Sequence, residues 1–175
     1  MDLQLTGKTA LITGGSKGIG RGTAEALAAE GCHVHLAART IADLEKARTE
    51  LITDHGVDVT IHPMDLSTGD AAQELAKRTE GIDILINCAG AIKAGNIEMI
   101  DEETWLKGWN LKIFGFINLT RAVYPAMCER GSGVIVNIIG NAGEDPAPAW
   151  LDLDTAWASV GASIGRAFIE GENVA

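Results

Sequence analysis

The run Thr13-Gly14-Gly15-Ser16-Lys17-Gly18-Ile19-Gly20 constrains this chain more than any other stretch of its 175 residues. It follows a short apolar segment, residues 8–13, that reads as a buried strand. It opens an alanine-rich segment, residues 19–30, with Ile19, Ala26 and Leu27 at helical positions. Glycines at 14, 18 and 20 permit a tight turn and bring the backbone close to whatever lies over it. The helix behind the turn aims unpaired N–H groups and the positive end of its dipole at the same point, which is how a helix holds a phosphate. A glycine cluster alone is a weak signal. Strand, turn, helix and second strand at βαβ spacing make it a strong one.

The same alternation continues along the chain. Residues 33–38, 57–62, 82–87 and 134–139 read as further strands, and residues 41–55 as a helix with Leu44, Ala47, Leu51 and Ile52 on one face. Ser67 is the expected cap of a helix running to Thr79, with Asp70 near its positive end. A long helix is expected over residues 103–130, ended by Gly131-Ser132-Gly133. Short strands separated by helices define a parallel sheet covered on both faces, because each crossover is right-handed and returns over the sheet. Beyond Gly143 the character changes. Residues 144–149 carry two prolines and read as a loop, and Leu153, Trp157, Val160, Ile164 and Phe168 form the stripe of a last amphipathic helix.

Charge narrows the partners. Fourteen basic and 24 acidic side chains give a net charge of −10, which disfavours nucleic acid and anionic membranes while leaving room for a small phosphorylated ligand held by local positive charge. No apolar run is long enough to span a bilayer, and the start Met1-Asp2-Leu3-Gln4-Leu5 lacks the features of a signal peptide. Cys32, Cys88 and Cys128 lie far apart without metal-ligand spacing, and read as reduced thiols with no metal site. The expected location is cytoplasmic.

Gly-x-x-x-Gly-x-Gly after the first strand, Asp65-Leu66 after the third, Asn87-Cys88-Ala89-Gly90 after the fourth, Asn110 in the long helix and Val136-Asn137-Ile138 in the fifth strand occur in one order. Together, over residues 5–143, they resemble the short-chain dehydrogenase/reductase family. The resemblance implies an α/β, Rossmann-like three-layer fold, with a parallel sheet of about five strands in the order 3-2-1-4-5. Residues 1–143 would be the NAD(P)-binding domain, and residues 144–175 a divergent C-terminal loop and helix of the same domain. By the resemblance, Gly14, Ser16, Lys17, Gly18, Ile19 and Gly20 form the cofactor turn. Asp65 would contact the adenine amino group, Leu66 would support the ring, and Asn87, Ala89 and Gly90 would line the path to the nicotinamide. Asp65 can equally be a strand-end turn former, and Asn87 a structural hydrogen bonder. Ile19 can serve both core and contact.

The end of the second strand decides between cofactors. A carboxylate there would bind the ribose 2′-hydroxyl and repel a 2′-phosphate. The chain instead reads Leu36-Ala37-Ala38-Arg39-Thr40, and Lys17 adds a second positive charge from the glycine turn. NADP(H) is therefore expected in preference to NAD(H), with Arg39 and Lys17 as the clamp. The bland alternative is a solvated Arg39.

The family moves a hydride between nicotinamide and a carbonyl or alcohol, using a serine, a tyrosine, a lysine four residues after it, and a helix asparagine. Asn110 matches the asparagine. Gly140 falls at the serine position, with Asn141 as a possible donor beside it. Trp150 or Leu153 falls at the tyrosine position, and Asp154 or Trp157 at the lysine position. The single tyrosine, Tyr124, reads as a core residue. Both departures begin near Glu144, as a replaced or truncated C-terminal part would produce. The expected function is an NADP(H)-dependent oxidoreductase acting on a small carbonyl or alcohol, with a catalytically inactive NADP(H)-binding or assembly protein as the alternative. Trp105, Trp109, Ile113, Phe116 and Ile117 on the long helix suggest a homo-oligomer interface by family analogy, against simple packing on the helix's own sheet.

Overall fold

The computed structural model describes residues 3–90 and 99–139. Strands β1 (Thr9–Thr13), β2 (His33–Ala38), β3 (Val59–Pro63), β4 (Ile84–Asn87) and β5 (Val134–Asn137) form one parallel sheet in the order β3-β2-β1-β4-β5. The helices are α1 (Gly18–Ala29), α2 (Ile41–His55), α3 (Gly69–Arg78), α4 (Glu102–Trp109) and α5 (Gly115–Arg130). The expected fold class and strand order are those observed.

Period-two alternation along the strands divides the core into two layers. Ala10, Ile12, Val34, Leu36, Ile84 and Ile86 pack against Ala24 and Ala28 of α1 and Leu44, Ala47 and Leu51 of α2. Leu11, Ala37 and Leu85 point the other way, into Ala72 and Leu75 of α3 and Leu119, Val123 and Met127 of α5. After β3 the chain returns past β1 to build β4 on the other side. The connections at the C-terminal ends of β1 and β4 therefore diverge, and a crevice opens between them.

Several boundaries differ from the sequence reading, each for a local reason. The cap of α3 is Thr68, whose Oγ1 accepts from the Ala71 N–H at 3.3 Å. Ser67 lies one residue before the cap, in the turn where its N–H donates to Asp65 Oδ1 at 3.0 Å. β4 begins at Ile84, because Asp83 turns its carboxylate back to accept the Thr9 N–H at 3.0 Å. Asp101 starts the long helix by accepting the Thr104 N–H at 2.8 Å.

That helix is not uniform. Between α4 and α5 lies one π turn, Asn110–Phe114, in which the Gly115 N–H reaches back five residues to the Asn110 carbonyl. Gly115 lies tight against β3's exit: a Cβ there would stand 2.9 Å from the Leu66 carbonyl oxygen. Beyond the turn, Phe116, Leu119, Thr120, Val123 and Met127 face the sheet. Tyr124 falls one residue off that stripe and is 56% exposed, so the expectation of a core tyrosine is overturned. Phe116 is buried, whereas Trp105, Trp109 and Ile113 cluster around Ile100. The reading of residues 144–175, with Gly140, Asn141, Trp150, Leu153, Asp154 and Trp157, lies outside the described residues.

Candidate functional site

A cleft of about 570 Å³ opens over the C-terminal ends of the central strands. It is lined by the turn residues Gly14, Ser16, Lys17, Gly18, Ile19 and Gly20, by Arg39, by Leu66, and by Ala89 and Gly90. Ten of the expected site residues thus share one wall system. A depression of similar size lies between α3 and α5, but it is remote from the strand ends.

The glycines make the floor of the cleft a backbone surface. Gly14 has φ +68°, and a Cβ on it would stand 3.0 Å from Ala89 Cα. A Cβ on Gly20 would collide with the Gly14 carbonyl. Both positions therefore exclude side chains on contact grounds. The floor is locked by Thr13, whose Oγ1 accepts the N–H groups of Cys88 at 2.9 Å and Ala89 at 3.0 Å. Thr13 is buried at the end of β1 and stitches that end to β4. Its place at the head of the glycine run is the sequence signal for this role.

Charge is arranged at one end. Arg39 is exposed at the end of β2 and, among the described residues, forms no ion pair, leaving its guanidinium available to an anion. Lys17 reaches Asp43 at 3.1 Å on the first turn of α2, a partner the sequence reading did not include. Ala38, preceding Arg39, carries no charge, and among the described residues no carboxylate lines the cleft.

Three expected residues stand outside the cleft lining. Asp65 accepts the Ser67 N–H at 3.0 Å, acting as a strand-end turn former. Asn87 is fully buried beneath the floor, where its Nδ2 donates to Thr120 Oγ1 at 3.1 Å and Asn137 Oδ1 at 2.9 Å. It ties β4 to α5 and β5, while its own Oδ1 finds no partner among the described residues. Asn110 is exposed at the start of the π turn, with its carbonyl accepting the Gly115 N–H.

The far end of the cleft holds a group that no motif in the sequence marks. Lys112, a residue of the π turn, lies beside Gly90 and donates to the Ile138 carbonyl at 2.6 Å. Burial pulls its pKa below the ordinary lysine value. The neighbouring Cys88 thiol is pushed up by burial, against the opposing pull of Lys112 and the Gly20 N–H. Among the described residues no cluster of histidine, cysteine or carboxylate side chains could hold a metal, and no helix is long and apolar enough to cross a membrane.

A cleft at a strand-order switch, floored by glycine backbone at a helix N-terminus, defines a dinucleotide-binding α/β protein. The chain belongs to the short chain dehydrogenase family, whose model matches residues 8–152. It is 35% identical over 169 residues to a short chain dehydrogenase of Pseudocercospora fijiensis, covering 93% of this chain and 53% of that protein. It is 34% identical to 2,3-dihydro-2,3-dihydroxybenzoate dehydrogenase of Bacillus subtilis over 146 residues, 81% of this chain and 56% of the relative. The chain thus spans about half the length of these relatives. Among solved structures, L-sorbose reductase of Gluconobacter frateurii complexed with NADPH and L-sorbose superposes with a TM-score of 0.87 at 30% identity, covering 96% of this chain and 65% of that one. A short-chain dehydrogenase of Sphingobium yanoikuyae in complex with NADPH gives 0.83 at 29% identity, covering 92% and 64%.

Proposed function

We propose that the chain is an NADP(H)-dependent oxidoreductase acting on a small carbonyl or alcohol. The observation that carries this reading is Arg39 at the end of β2, which forms no ion pair among the described residues and stands next to uncharged Ala38. The NADPH complexes of the sorbose reductase and the Sphingobium enzyme, both similar in fold and sequence, support the same choice.

In this reading the backbone around Gly14, Ser16, Gly18, Ile19 and Gly20 cradles the pyrophosphate, and Arg39 with Lys17 receives the 2′-phosphate. Leu66 supports the adenine, with Asp65 close behind it in the turn. Ala89 and Gly90 line the path to the nicotinamide, while Asn87 holds that path from below. When bound, the cofactor supplies a hydride to, or takes one from, the substrate carbon. Asn110 is assigned to the proton path by the family resemblance.

We read residues 1–143 as the cofactor domain, with residues 144–175 continuing the same unit. The protein is expected in the cytoplasm, with no nucleic-acid or membrane partner in view of its net charge of −10. Of the residues expected to carry self-association through the long helix, Phe116 is buried and Trp105, Trp109 and Ile113 pack around Ile100, so the proposal rests instead on exposed Leu106, Phe114 and Tyr124, and sedimentation of the full chain tests it.

Fluorescence titration with NADPH and NADH, followed by loss of reduced-nicotinamide absorbance over a panel of ketones and aldehydes, tests the activity. NADPH should bind more tightly than NADH, and at least one carbonyl should drive its oxidation. Failure to bind either nucleotide would remove the reading altogether.

A further inference from the structure

Lys112 is an ammonium in an unusual setting. It is half-buried, and among the described residues no carboxylate pairs with it. Its neighbours are the Ile138 carbonyl at 2.6 Å, the face of Phe116 with the ring centroid 5.1 Å away, and Gly90. Gly90 is what gives the stem room, since a Cβ there would stand 3.0 Å from Lys112 Cδ. Among the described residues one carbonyl occupies one of the three ammonium donors, leaving hydrogen-bonding capacity and a full charge in the cleft wall. A half-buried cation without an anionic partner costs free energy, and that cost is offset when a ligand brings oxygen acceptors to it.

Its position fixes which part of a ligand it meets. In a dinucleotide fold the end of the second strand receives the adenosine ribose, and the first helix receives the pyrophosphate. Arg39 and the glycine turn occupy those stations here, and Lys112 lies at the opposite end, between the exits of β4 and β5.

Building on the NADP(H) reading above, we propose that Lys112 contacts the nicotinamide half of the dinucleotide and biases the site toward its reduced form. The oxidised nicotinamide ring carries a formal positive charge and the reduced ring is neutral. A fixed ammonium on that side opposes the first and leaves the second untouched, while its free donors serve ribose or carboxamide oxygens in both. Leu111 and Lys112 both lie in the π turn Asn110–Phe114 and both line the cleft, while the sheet-facing stripe of α5 begins beyond it at Phe116.

The experiment measures dissociation constants of NADPH, NADP⁺ and 2′,5′-ADP on the full chain, for wild type, Lys112→Gln, Lys112→Met and Lys112→Arg. The ratio of the NADP⁺ constant to the NADPH constant should fall roughly fivefold in the Gln and Met variants, the size of effect one nearby charge exerts in a partly solvated cleft. It should stay near wild type in the Arg variant. Binding of 2′,5′-ADP, which occupies only the adenosine end, should be unchanged in all of them. A ratio unmoved by Gln or Met overturns the proposal, and so does loss of 2′,5′-ADP binding in both, which would make Lys112 a folding residue. If wild type binds 2′,5′-ADP and NADPH but the ratio is insensitive to Lys112, this inference alone fails. If wild type binds none of the three, the NADP(H) reading fails with it.

Discussion

The Thr13 hydroxyl accepts the backbone N–H of Ala89 at 3.0 Å, joining the ends of β1 and β4 directly under the cleft. The same oxygen accepts the Cys88 N–H at 2.9 Å, so one side chain fixes both backbone groups that follow β4. A valine at this position keeps the shape and removes the acceptor. Thr13→Val should therefore leave two N–H groups unpaired and cost about 1–3 kcal/mol in urea unfolding. It should also weaken NADPH binding several-fold, because Ala89 and Gly90 lose their anchor. Thr13→Ser, which retains the oxygen, should stay close to wild type in both measurements.

Discrimination between cofactors should separate cleanly by charge. Arg39→Asp should weaken NADPH roughly tenfold or more, the size expected for a charge-assisted bond, while changing NADH far less. Asp43→Asn tests the other half of the clamp. The Lys17–Asp43 pair is largely exposed, so breaking it should alter stability by less than about 1 kcal/mol. Released from Asp43, Lys17 should improve NADPH binding about threefold at low salt, and the gain should shrink as salt screens it. Equal effects on both nucleotides would remove the charge account.

Two glycines of one helix should respond in opposite directions. A Cβ on Gly20 would collide with the Gly14 carbonyl, whereas a Cβ on Gly22 meets nothing within 4 Å. Gly20→Ala must push the turn open, and should cost about 1–3 kcal/mol along with most of the nucleotide affinity. Gly22 is an exposed glycine inside α1, so Gly22→Ala should stabilise by up to about 1 kcal/mol and leave binding intact. Thermal unfolding and NADPH titration of the two variants decide it.

These contrasts mark where the sequence was legible and where it was not. The helix at Ile41–His55 is the span expected, because its apolar spacing is regular and Gly56, with φ +66°, ends it in the left-handed conformation. The glycine turn was legible because few residue types other than glycine satisfy its contacts. The π turn was not, since hydrophobic spacing on either side remains helical and no residue type announces a five-residue hydrogen bond. Lys112, which lies in that turn, was not legible either. Asn87 carried two readings of equal weight, and only its bonds to Thr120 and Asn137 reveal what it holds together. Tyr124 was misjudged for a simpler reason. A lone tyrosine among apolar neighbours suggests burial, whereas its angular position on α5 places it outside the stripe.

Acid should destabilise the sheet through a pair of histidines remote from the cleft floor. His35 on β2 and His62 on β3 stack with ring centroids 5.2 Å apart, and His35 Nδ1 lies 2.9 Å from His62 Nε2. One ring nitrogen donates and the other accepts, so the bond requires at least one neutral ring. Burial lowers the pKa of His35, and burial with repulsion from His35 and Arg78 lowers His62 to about 4. Both folded values lie below the unfolded value of about 6.5, so between these limits the unfolded chain binds more protons than the folded one. The stabilisation is complete above about pH 6.5 and is lost as pH falls toward 4. For His62 alone the loss should reach roughly 3 kcal/mol at its limit, at about 1.4 kcal/mol per pH unit. Urea midpoints measured from pH 7.5 down to 4.5 should fall accordingly in wild type. In His62→Leu the slope over that interval should flatten, because the group with the largest depression no longer titrates. An equally steep slope in the variant would place the acid sensitivity in other groups.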